Sequence, residues 1–313
     1  MPSVLRHPIR IGTRGSPLAL AQANETQARL LAAHPQLDPA QIEIEIIRTS
    51  GDQIQDRPLS EIGGKGLFTK EIEEALLAGR IHLAVHSMKD MPTILPDGLA
   101  ILCLLEREDP RDALISLKAG CIRDLPRAAV IGTSSLRRQA LLLRTRPDLK
   151  VVGLRGNVQT RLAKLDAGQV DATLLAVAGL RRLGIHPQGS SMLSTEEMLP
   201  AVAQGAIGIE ARENDAEMAR LLQPLNHPPT EYCVRAERAL LAALDGSCRT
   251  PIAALAEIHP DGRLRLRGQI VKPDGSQLFE AVREGALADA ARMGFDAGLE
   301  LRRKGGADFF AAD

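Results

Sequence analysis

The chain has 313 residues, more than one compact core usually contains, so two or three domains are expected. Its 39 Lys and Arg residues balance 39 Asp and Glu residues, which excludes a general attraction to nucleic acid or to an anionic membrane. Trp is absent, and no apolar run reaches the roughly 18 residues of a membrane span. The N-terminus MPSVLRHPIRIG also lacks the apolar region of a secretory signal, so a cytoplasmic protein is expected.

Short apolar strands alternate with amphipathic helices through the first two-thirds of the chain. IRIGTR (9–14) is a predicted strand, and the following helix has Ser16 as its cap and Pro17 in its first position. GLFTKEIEEALLAG (66–79) is a predicted helix that ends at Gly79, and IHLAVH (81–86) is the strand after it. This β-α order predicts mostly parallel sheets covered by helices.

The pattern changes after about residue 225. A helix (231–244) precedes three apolar segments, which are joined by the turns DG (261–262) and PDG (273–275), and a last helix follows (286–303). Strands joined by tight turns of this kind favour a small antiparallel sheet. The C-terminal part is therefore predicted to be a separate α+β domain.

Four arginines, Arg137, Arg138, Arg155 and Arg161, follow two predicted strands within GTSSLRRQ and LRGNVQTRL. A guanidinium offers a rigid fork of donors that can hold a carboxylate or phosphate at two oxygens. Backbone N–H groups at a helix N-terminus attract the same anions. Solvent-exposed helix charges are the alternative, but arginines massed after strand ends favour a pocket for a polyanionic small molecule.

The segment HSMKDMP (86–92) puts Lys89 beside Asp90 directly after a strand. In a cleft, Asp90 could move protons or stabilise a developing cation, while Lys89 could hold a carboxylate. An ordinary surface ion pair explains the spacing equally well. His82 and His86 could share a face of the strand, but the usual zinc-binding patterns are absent.

Two further segments leave alternatives open. EIGGKGLFTKE (61–71) does not fit a phosphate-binding loop, and a glycine hinge or a lid carrying Lys65 and Phe68 is the better interpretation. Cys103 lies in an apolar run and fits an inert buried thiol. Cys248 lies in a polar, glycine-containing loop beside Arg249, which favours an accessible thiolate, although the local pattern does not say what it would attack.

Together, these segments resemble the porphobilinogen deaminase family, whose members are also called hydroxymethylbilane synthases. The matches run in order along nearly the whole chain, which makes them specific although any one alone is weak. The segments are IGTRGSPLALAQA (11–23), IGGKGLFTKEIE (62–73), AVHSMKDMP (84–92), IGTSSLRRQ (131–139), LRGNVQTRL (154–162), LAVAGLRRLG (175–184), QGAIGIE (204–210) and the GSC loop (246–248).

The resemblance implies an α/β protein with two domains like the halves of periplasmic binding proteins around a cleft. It adds a small C-terminal α+β domain with a three-stranded antiparallel sheet. Domain 1 would comprise residues 1–105 and 206–224, because QGAIGIE would return the chain to it. Domain 2 would comprise residues 106–205, and domain 3, with the cysteine loop, residues 225–313. A monomer is expected.

The resemblance also implies a transferase of tetrapyrrole biosynthesis, which leads to porphyrins and haem. Such an enzyme joins four porphobilinogen molecules head to tail into hydroxymethylbilane and releases ammonia. Cys248 matches the cysteine that carries the family's dipyrromethane cofactor through a thioether, and Asp90, with Lys89 beside it, matches the catalytic aspartate. By motif position, cofactor binding is assigned to Ser87, Lys89, Asp90, Thr133, Ser135, Arg137, Arg138 and Cys248. Substrate binding is assigned to Arg14, Lys65, Phe68, Arg155, Arg161 and Arg182, and no metal is expected.

The chain departs from the family pattern at three places. Gly15 replaces what is often a longer polar residue, Ala203 stands where glycine is common, and the cysteine loop is GSCRTPIA rather than GGCQVPIG. The catalytic positions are retained, so these changes affect loop shape or kinetics more than the activity itself. Two other classes share some features. A solute-binding protein could use the same arginines but would not need Cys248, and a phosphate-handling transferase would need a phosphate loop.

Overall fold

The computed structural model describes residues 8–53, 68–244, 251–306 and 309, which belong to two compact units. The first unit contains residues 8–53, 68–107 and 206–231. The second contains residues 108–205, 232–244, 251–306 and 309, and therefore combines the second predicted domain with most of the third. The division into three domains stays a prediction.

Strands and helices alternate along most of the chain. The strands are β1 (Ile9–Thr13), β2 (Ile42–Ile46), β3 (Leu83–Ser87), β4 (Leu99–Leu104), β5 (Asp112–Ile115), β6 (Val130–Gly132), β7 (Lys150–Val152), β8 (Ala172–Ala176), β9 (Ser190–Met192), β10 (Ile207–Arg212), β11 (Ile252–Ile258), β12 (Leu264–Val271) and β13 (Leu278–Gly285). The helices are α1 (Pro17–Ala33), α2 (Ser50–Gln53), α3 (Lys70–Leu77), α4 (Leu136–Thr145), α5 (Val158–Asp166), α6 (Val177–Arg182), α7 (Ala216–Leu222), α8 (Pro228–Ala243) and α9 (Ala290–Gly305).

The first unit is built on a five-stranded sheet in the order β2-β1-β3-β10-β4. Strand β1 runs parallel to β2 and β3, whereas β10 runs antiparallel to both β3 and β4. One face is covered by α1 and α7, with Leu30 and Leu222 fully buried. The other face is covered by α3, whose Ile72 and Leu76 pack in one cluster with Ala84 of β3. Helices thus pack on both faces of this sheet.

The second unit contains two sheets. One has the order β7-β6-β8-β5-β9, in which β6 is parallel to β7 and β8, and β5 is antiparallel to β8 and β9. The other is the antiparallel sheet β11-β12-β13, packed against α9. Helices α8 and α9 approach closely because α9 carries glycines at the contact. A Cβ atom at Gly294 would lie 2.0 Å from the Ala236 carbonyl oxygen, so a larger residue would force the helices apart.

The predicted α/β fold class is confirmed. The strands of both five-stranded sheets alternate with helices along the chain, and the C-terminal sheet has three antiparallel strands. Local signals also hold, since Ser16 caps α1 by accepting from the Ala19 N–H at 3.3 Å, and Gly79 takes a φ of +70° after α3. The expectation of mostly parallel sheets is wrong, because each large sheet contains two antiparallel pairs beside its two parallel ones. Strands β4, β5 and β9 all take part in the antiparallel pairs. Neither a turn motif nor the period of apolar residues predicts these three strands clearly.

Ala203, one of the departures from the family pattern, has a φ of +57° and is fully buried. Its N–H donates to Oε2 of Glu237 at 2.6 Å, and the other oxygen of that carboxylate accepts from the Ala256 N–H at 2.8 Å. Glu237 therefore joins α8, β11 and the loop before β10. A β-carbon in this left-handed region costs roughly 1–2 kcal/mol, which explains why glycine suits the position.

We expect Ala203→Gly to raise the free energy of unfolding by about 1 kcal/mol, because it relieves the strain and keeps the N–H that Glu237 accepts. Urea unfolding monitored by circular dichroism measures the change. Ala128, which has a φ of +58° but is exposed, provides a matched variant and should gain a similar amount on replacement by glycine. Ala242→Gly, in the ordinary helical backbone of α8, should instead lose about 1 kcal/mol. A loss at Ala203 as large as at Ala242 would contradict the strain argument.

Candidate active site

The first unit contains a pocket where the ends of β1 and β3 meet the start of α1. Four of the predicted site residues line it, of which three are charged or polar and one is aromatic. The lining residues are Arg14, Ser16, Leu18, Ala19, Gln22, Phe68, Thr69, Val85, His86, Ser87, Asp90 and Met91. Parallel strands β1 and β3 lie side by side, so the residues after them share one edge of the sheet.

Arg14 and Phe68 contact each other in this pocket. The Arg14 guanidinium carbon lies 4.1 Å from the centre of the Phe68 ring, the arrangement of a cation–π interaction. Next to them, the Gln22 amide faces the Ser87 hydroxyl, with Nε2 and Oε1 of Gln22 at 2.8 and 3.1 Å from Oγ. Gln22 was not among the predicted site residues, because a single glutamine on an amphipathic helix gives no signal of its own.

The turn after β3 carries Lys89 and Asp90 and is held from below. Met88–Asp90 form one turn of 3₁₀ helix, and the Met88 N–H donates to the Ala206 carbonyl at 3.0 Å. The Met88 side chain is buried against β10, where a Cβ atom at Gly208 would lie 2.1 Å from its sulfur. The turn consequently has a rigid base, while the Asp90 side chain is exposed at the pocket and Lys89 is half-buried.

In the second unit, Thr133 and Ser135 shape the start of α4. Ser135 is its N-cap and accepts from the Arg138 N–H at 3.4 Å, and the Thr133 hydroxyl accepts from the Ser135 N–H at 3.2 Å. These bonds explain why GTSS precedes the two arginines, since the turn directs both side chains at the first turn of α4 toward the interior.

Arg137 and Arg138 are buried and share one carboxylate, that of Asp112 on β5. Their Nη2 atoms each donate to one Asp112 oxygen at 2.7 Å, and Gln204 donates to the same carboxylate at 3.0 Å. The Nη1 atoms bind the carbonyls of Leu199 and Leu174. Burial alone would raise the pKa of Asp112, but the two guanidinium groups outweigh it and hold that pKa far below its ordinary value. The sequence drew attention to the arginines but not to Asp112.

The Nε atoms of Arg137 and Arg138 have no hydrogen-bond partner among the residues that the structure describes. A buried guanidinium with an unused donor is costly to the fold. The group of two arginines and one aspartate also leaves an excess positive charge. The assignment of both arginines to the cofactor therefore stays a prediction that this geometry supports.

The remaining arginines of the prediction, all in the second unit, are half-buried. Arg155 precedes Gly156, whose φ is +116°, and the Nε of Arg161, in α5, donates to the Gly156 carbonyl at 2.9 Å. Arg182, at the end of α6, donates to the Gly205 carbonyl at 3.0 Å. Arg155 and Arg161 thus lie around one turn, and Arg182 lies at a different place in the unit. Lys65 and Cys248 lie outside the described residues.

Cys103, His82 and His86 are held by the interior of the first unit. Burial raises the pKa of Cys103 to about 12, which makes it an inert thiol at neutral pH. His82 accepts from the Arg10 N–H through Nδ1, and Nε2 of His86 pairs with Glu210 at 2.9 Å. No group of three or more potential ligands for a metal is found in the described ranges. Within the same ranges, no helix is both long and apolar enough to cross a membrane.

Comparisons with known proteins match the chain almost throughout. A family model described as the dipyrromethane cofactor-binding domain of porphobilinogen deaminase matches residues 9–220, and its C-terminal domain matches residues 231–303. The chain belongs to the porphobilinogen deaminase family. It is therefore an enzyme of the hydroxymethylbilane synthase type and contains the domain that binds a dipyrromethane cofactor, as the sequence predicted.

Curated relatives of the family come from distant organisms. The chain is 57% identical to porphobilinogen deaminase of Nitrobacter winogradskyi, with 96% of this chain and 94% of that protein aligned. It is 58% identical to the Paracoccus denitrificans enzyme over 97% of both chains, and 56% identical to the chloroplastic enzyme of Oryza sativa over 96% of this chain and 85% of the relative. Among solved structures, a periplasmic substrate-binding protein from Coxiella burnetii is 18% identical, covers 71% of this chain and 94% of its own, and has a TM-score of 0.42.

We expect Asp112→Asn to destabilise the protein by about 3–5 kcal/mol, because it leaves two buried guanidinium groups without their carboxylate. Asp296→Asn, which breaks the half-exposed pair with Arg283, should cost within about 1 kcal/mol. Because the pKa of Asp112 is lowered on folding, its contribution is present above about pH 4 and is lost as the pH falls. Urea unfolding should be measured between about pH 3 and pH 7. The free energy of unfolding should fall less toward acid pH in Asp112→Asn than in wild type. Equal acid dependence would contradict this account.

Proposed function

We propose that the chain joins four porphobilinogen molecules head to tail into hydroxymethylbilane, with release of ammonia, on a dipyrromethane primer bound to Cys248 through a thioether. The observation that supports this most directly is the match of both family domains to a chain that has Arg14, Ser87 and Asp90 in one pocket. The family match already assigns the chain to tetrapyrrole biosynthesis. The chemistry, the anchor and the residue roles are the proposal.

The residues of both units fit an acidic pyrrole ligand. Each pyrrole of the family's substrate carries an acetate and a propionate group, so several carboxylates need partners. Arg14 in the first unit and the excess positive charge of Arg137 and Arg138 over Asp112 in the second are suited to them. When bound, the dipyrromethane group supplies the pyrrole end to which porphobilinogen is added. Ser87, Lys89, Thr133 and Ser135 add donors for the cofactor, and Lys65, Phe68, Arg155, Arg161 and Arg182 are assigned to the substrate.

Asp90 is proposed as the catalytic residue. Loss of ammonia from a protonated aminomethylpyrrole leaves a cation, and a carboxylate fixed nearby stabilises it and exchanges protons with pyrrole nitrogens. The 3₁₀ turn on which Asp90 lies is anchored by Met88, so the carboxylate needs little ordering before it acts. Lys89 is assigned to a carboxylate of the ligand. We further propose that the protein works as a monomer in the cytoplasm.

The cofactor anchor is tested by the intact mass of the purified protein. Wild type is expected to carry the additional mass of two pyrrole units, and Cys248→Ala is expected to lack it. Cys121→Ala, which removes a half-buried thiol of the second unit, should keep the additional mass and serves as the control. A wild-type protein that stays unmodified after incubation with porphobilinogen would contradict the covalent primer and favour a binding protein with the same arginines.

We expect Asp90→Asn to lower the turnover of porphobilinogen by about 10²–10⁴-fold. The amide cannot exchange a proton with the substrate, and it has no negative charge to stabilise the cation. The fold and the additional mass should be retained, since the Asp90 side chain is exposed. Asp97→Asn removes another exposed aspartate of the same unit outside the pocket and should leave turnover unchanged. Release of ammonia measured under single-turnover conditions separates the two variants, and normal turnover in Asp90→Asn would remove Asp90 from this role.

A further inference from the structure

Three titratable side chains lie together beneath the pocket of the first unit. In the register of the sheet, His86 of β3 faces Gly208 of β10, and Glu210 of β10 faces Ala84 of β3. His86 and Glu210 are thus diagonal neighbours on the face that α3 covers. Helix α3 places Glu73 over the same face. Their exposed fractions are 6% for His86, 0% for Glu210 and 7% for Glu73.

The hydrogen bonds of this cluster account for only part of its polar atoms. Nε2 of His86 lies 2.9 Å from Oε2 of Glu210. Oε1 of Glu210 and Oε1 of Glu73 have no partner among the described residues. Two ionised carboxylates here would leave buried negative charge without compensation, which is much more costly than keeping one of them protonated.

The neighbouring charges do not remove this problem. Burial raises the pKa of Glu73, and the nearby Glu210 raises it further, whereas Thr69 and His86 lower it without reversing the shift. On α3, Glu71 binds Ser50, and Lys70 lies beside Glu74. Arg212, two residues beyond Glu210 on β10, is bound to the carbonyls of Leu76 and Ile81 and to Asp215. His82 lies toward that far end, while Arg14, Lys89 and Asp90 belong to the pocket side.

We propose that Glu73, Glu210 and His86 form a buried cluster in which Glu73 keeps its proton and Glu210 holds His86 by a hydrogen bond, and that His86 is thereby a positioning residue for the Ser87–Asp90 turn. His86 lines the pocket and directly precedes Ser87, so the ring that Glu210 holds fixes the end of β3. The positioning role of His86 rests on the proposed function, because that function assigns the chemistry to Asp90. The protonation of Glu73 is independent of the proposed function.

Stability alone does not explain why three titratable side chains lie at this place. A buried ion pair is often no more stable than apolar side chains of the same volume, so three titratable groups in an otherwise aliphatic layer call for another reason. A hydrogen-bonded imidazole has a fixed direction, which an aliphatic side chain lacks. The cluster therefore stabilises the fold less than apolar side chains would, but it gives the His86 ring a defined orientation at the floor of the pocket.

The proton on Glu73 is tested without any assay of turnover. Because folding raises the pKa of Glu73, wild type loses stability as the pH rises through the folded value, and Glu73→Gln, which is permanently neutral, does not. The gain in Tm of Glu73→Gln over wild type should therefore grow between about pH 5 and pH 8. His82→Gln, a change on the same face outside the pocket, should show the opposite trend, because burial lowers the pKa of the His82 imidazole on folding. A Tm difference that is constant with pH would overturn the protonated Glu73.

The positioning role is tested on the holoenzyme with Glu210→Gln and with the double variant Glu73→Gln, Glu210→Gln. In both variants we expect kcat to fall about tenfold or more while KM for porphobilinogen changes less than threefold. In the single variant Glu73→Gln, we expect the alkaline limb of the pH profile of kcat to flatten. Nitrogen NMR of the His86 ring, read in the same samples, should show its signals displaced in Glu210→Gln and unchanged in His82→Gln. Full kcat with a displaced ring would overturn the positioning role. If wild type itself does not turn over porphobilinogen, the proposed function fails, while the Tm and NMR results still decide the cluster.

Discussion

The return of β10 into the first sheet is the constraint on which the candidate site depends. Strand β10 separates β3 from β4 and contributes Gly208 and Glu210, which with the carbonyl of the preceding Ala206 hold the turn carrying Asp90 from below. These residues follow β3 by more than a hundred positions, and the intervening chain contains all five strands of the large sheet of the second unit. Contacts of such long sequence separation form late and slowly, so the pocket is completed only after the chain has come back.

Both units place buried charge directly behind the residues assigned to ligand binding. In the second unit Asp112 compensates Arg137 and Arg138, and in the first Glu210 pairs with His86. Buried ion pairs contribute little to stability compared with apolar packing, but breaking one side of them is costly. Their geometry is therefore strongly constrained. An arginine held at Nη2 by an internal carboxylate and at Nη1 by a backbone carbonyl also has little side-chain entropy left to lose, which favours binding by a preorganised site.

The sequence predicted those parts of the structure that depend on local chemistry. Ser16, Pro17 and Gly79 mark helix ends through capping and a positive φ, and the DG and PDG turns mark the C-terminal hairpins. The antiparallel strands β5 and β10 were harder to predict as such, because strand direction is decided by distant partners and not by the period of apolar residues. The motifs likewise indicated Arg137, Arg138 and Asp90, whereas Asp112, Gln22 and Glu210 gain their importance only from residues far away in the chain.

Asp90 differs from the other acidic groups in a way that bears on catalysis. Asp112 and Glu210 are completely buried and bound to internal side chains, so neither is available to a substrate. Asp90 is exposed, and in water a carboxylate stabilises a nearby cation only weakly. Its electrostatic effect must therefore grow when a ligand fills the pocket and displaces water. The rigid turn over Met88 and the aromatic wall of Phe68 against Arg14 prepare the pocket for that step, since both restrict side-chain movement before the ligand arrives. On this argument, the low reactivity of an empty pocket and the high reactivity of a filled one follow from the same exposed carboxylate.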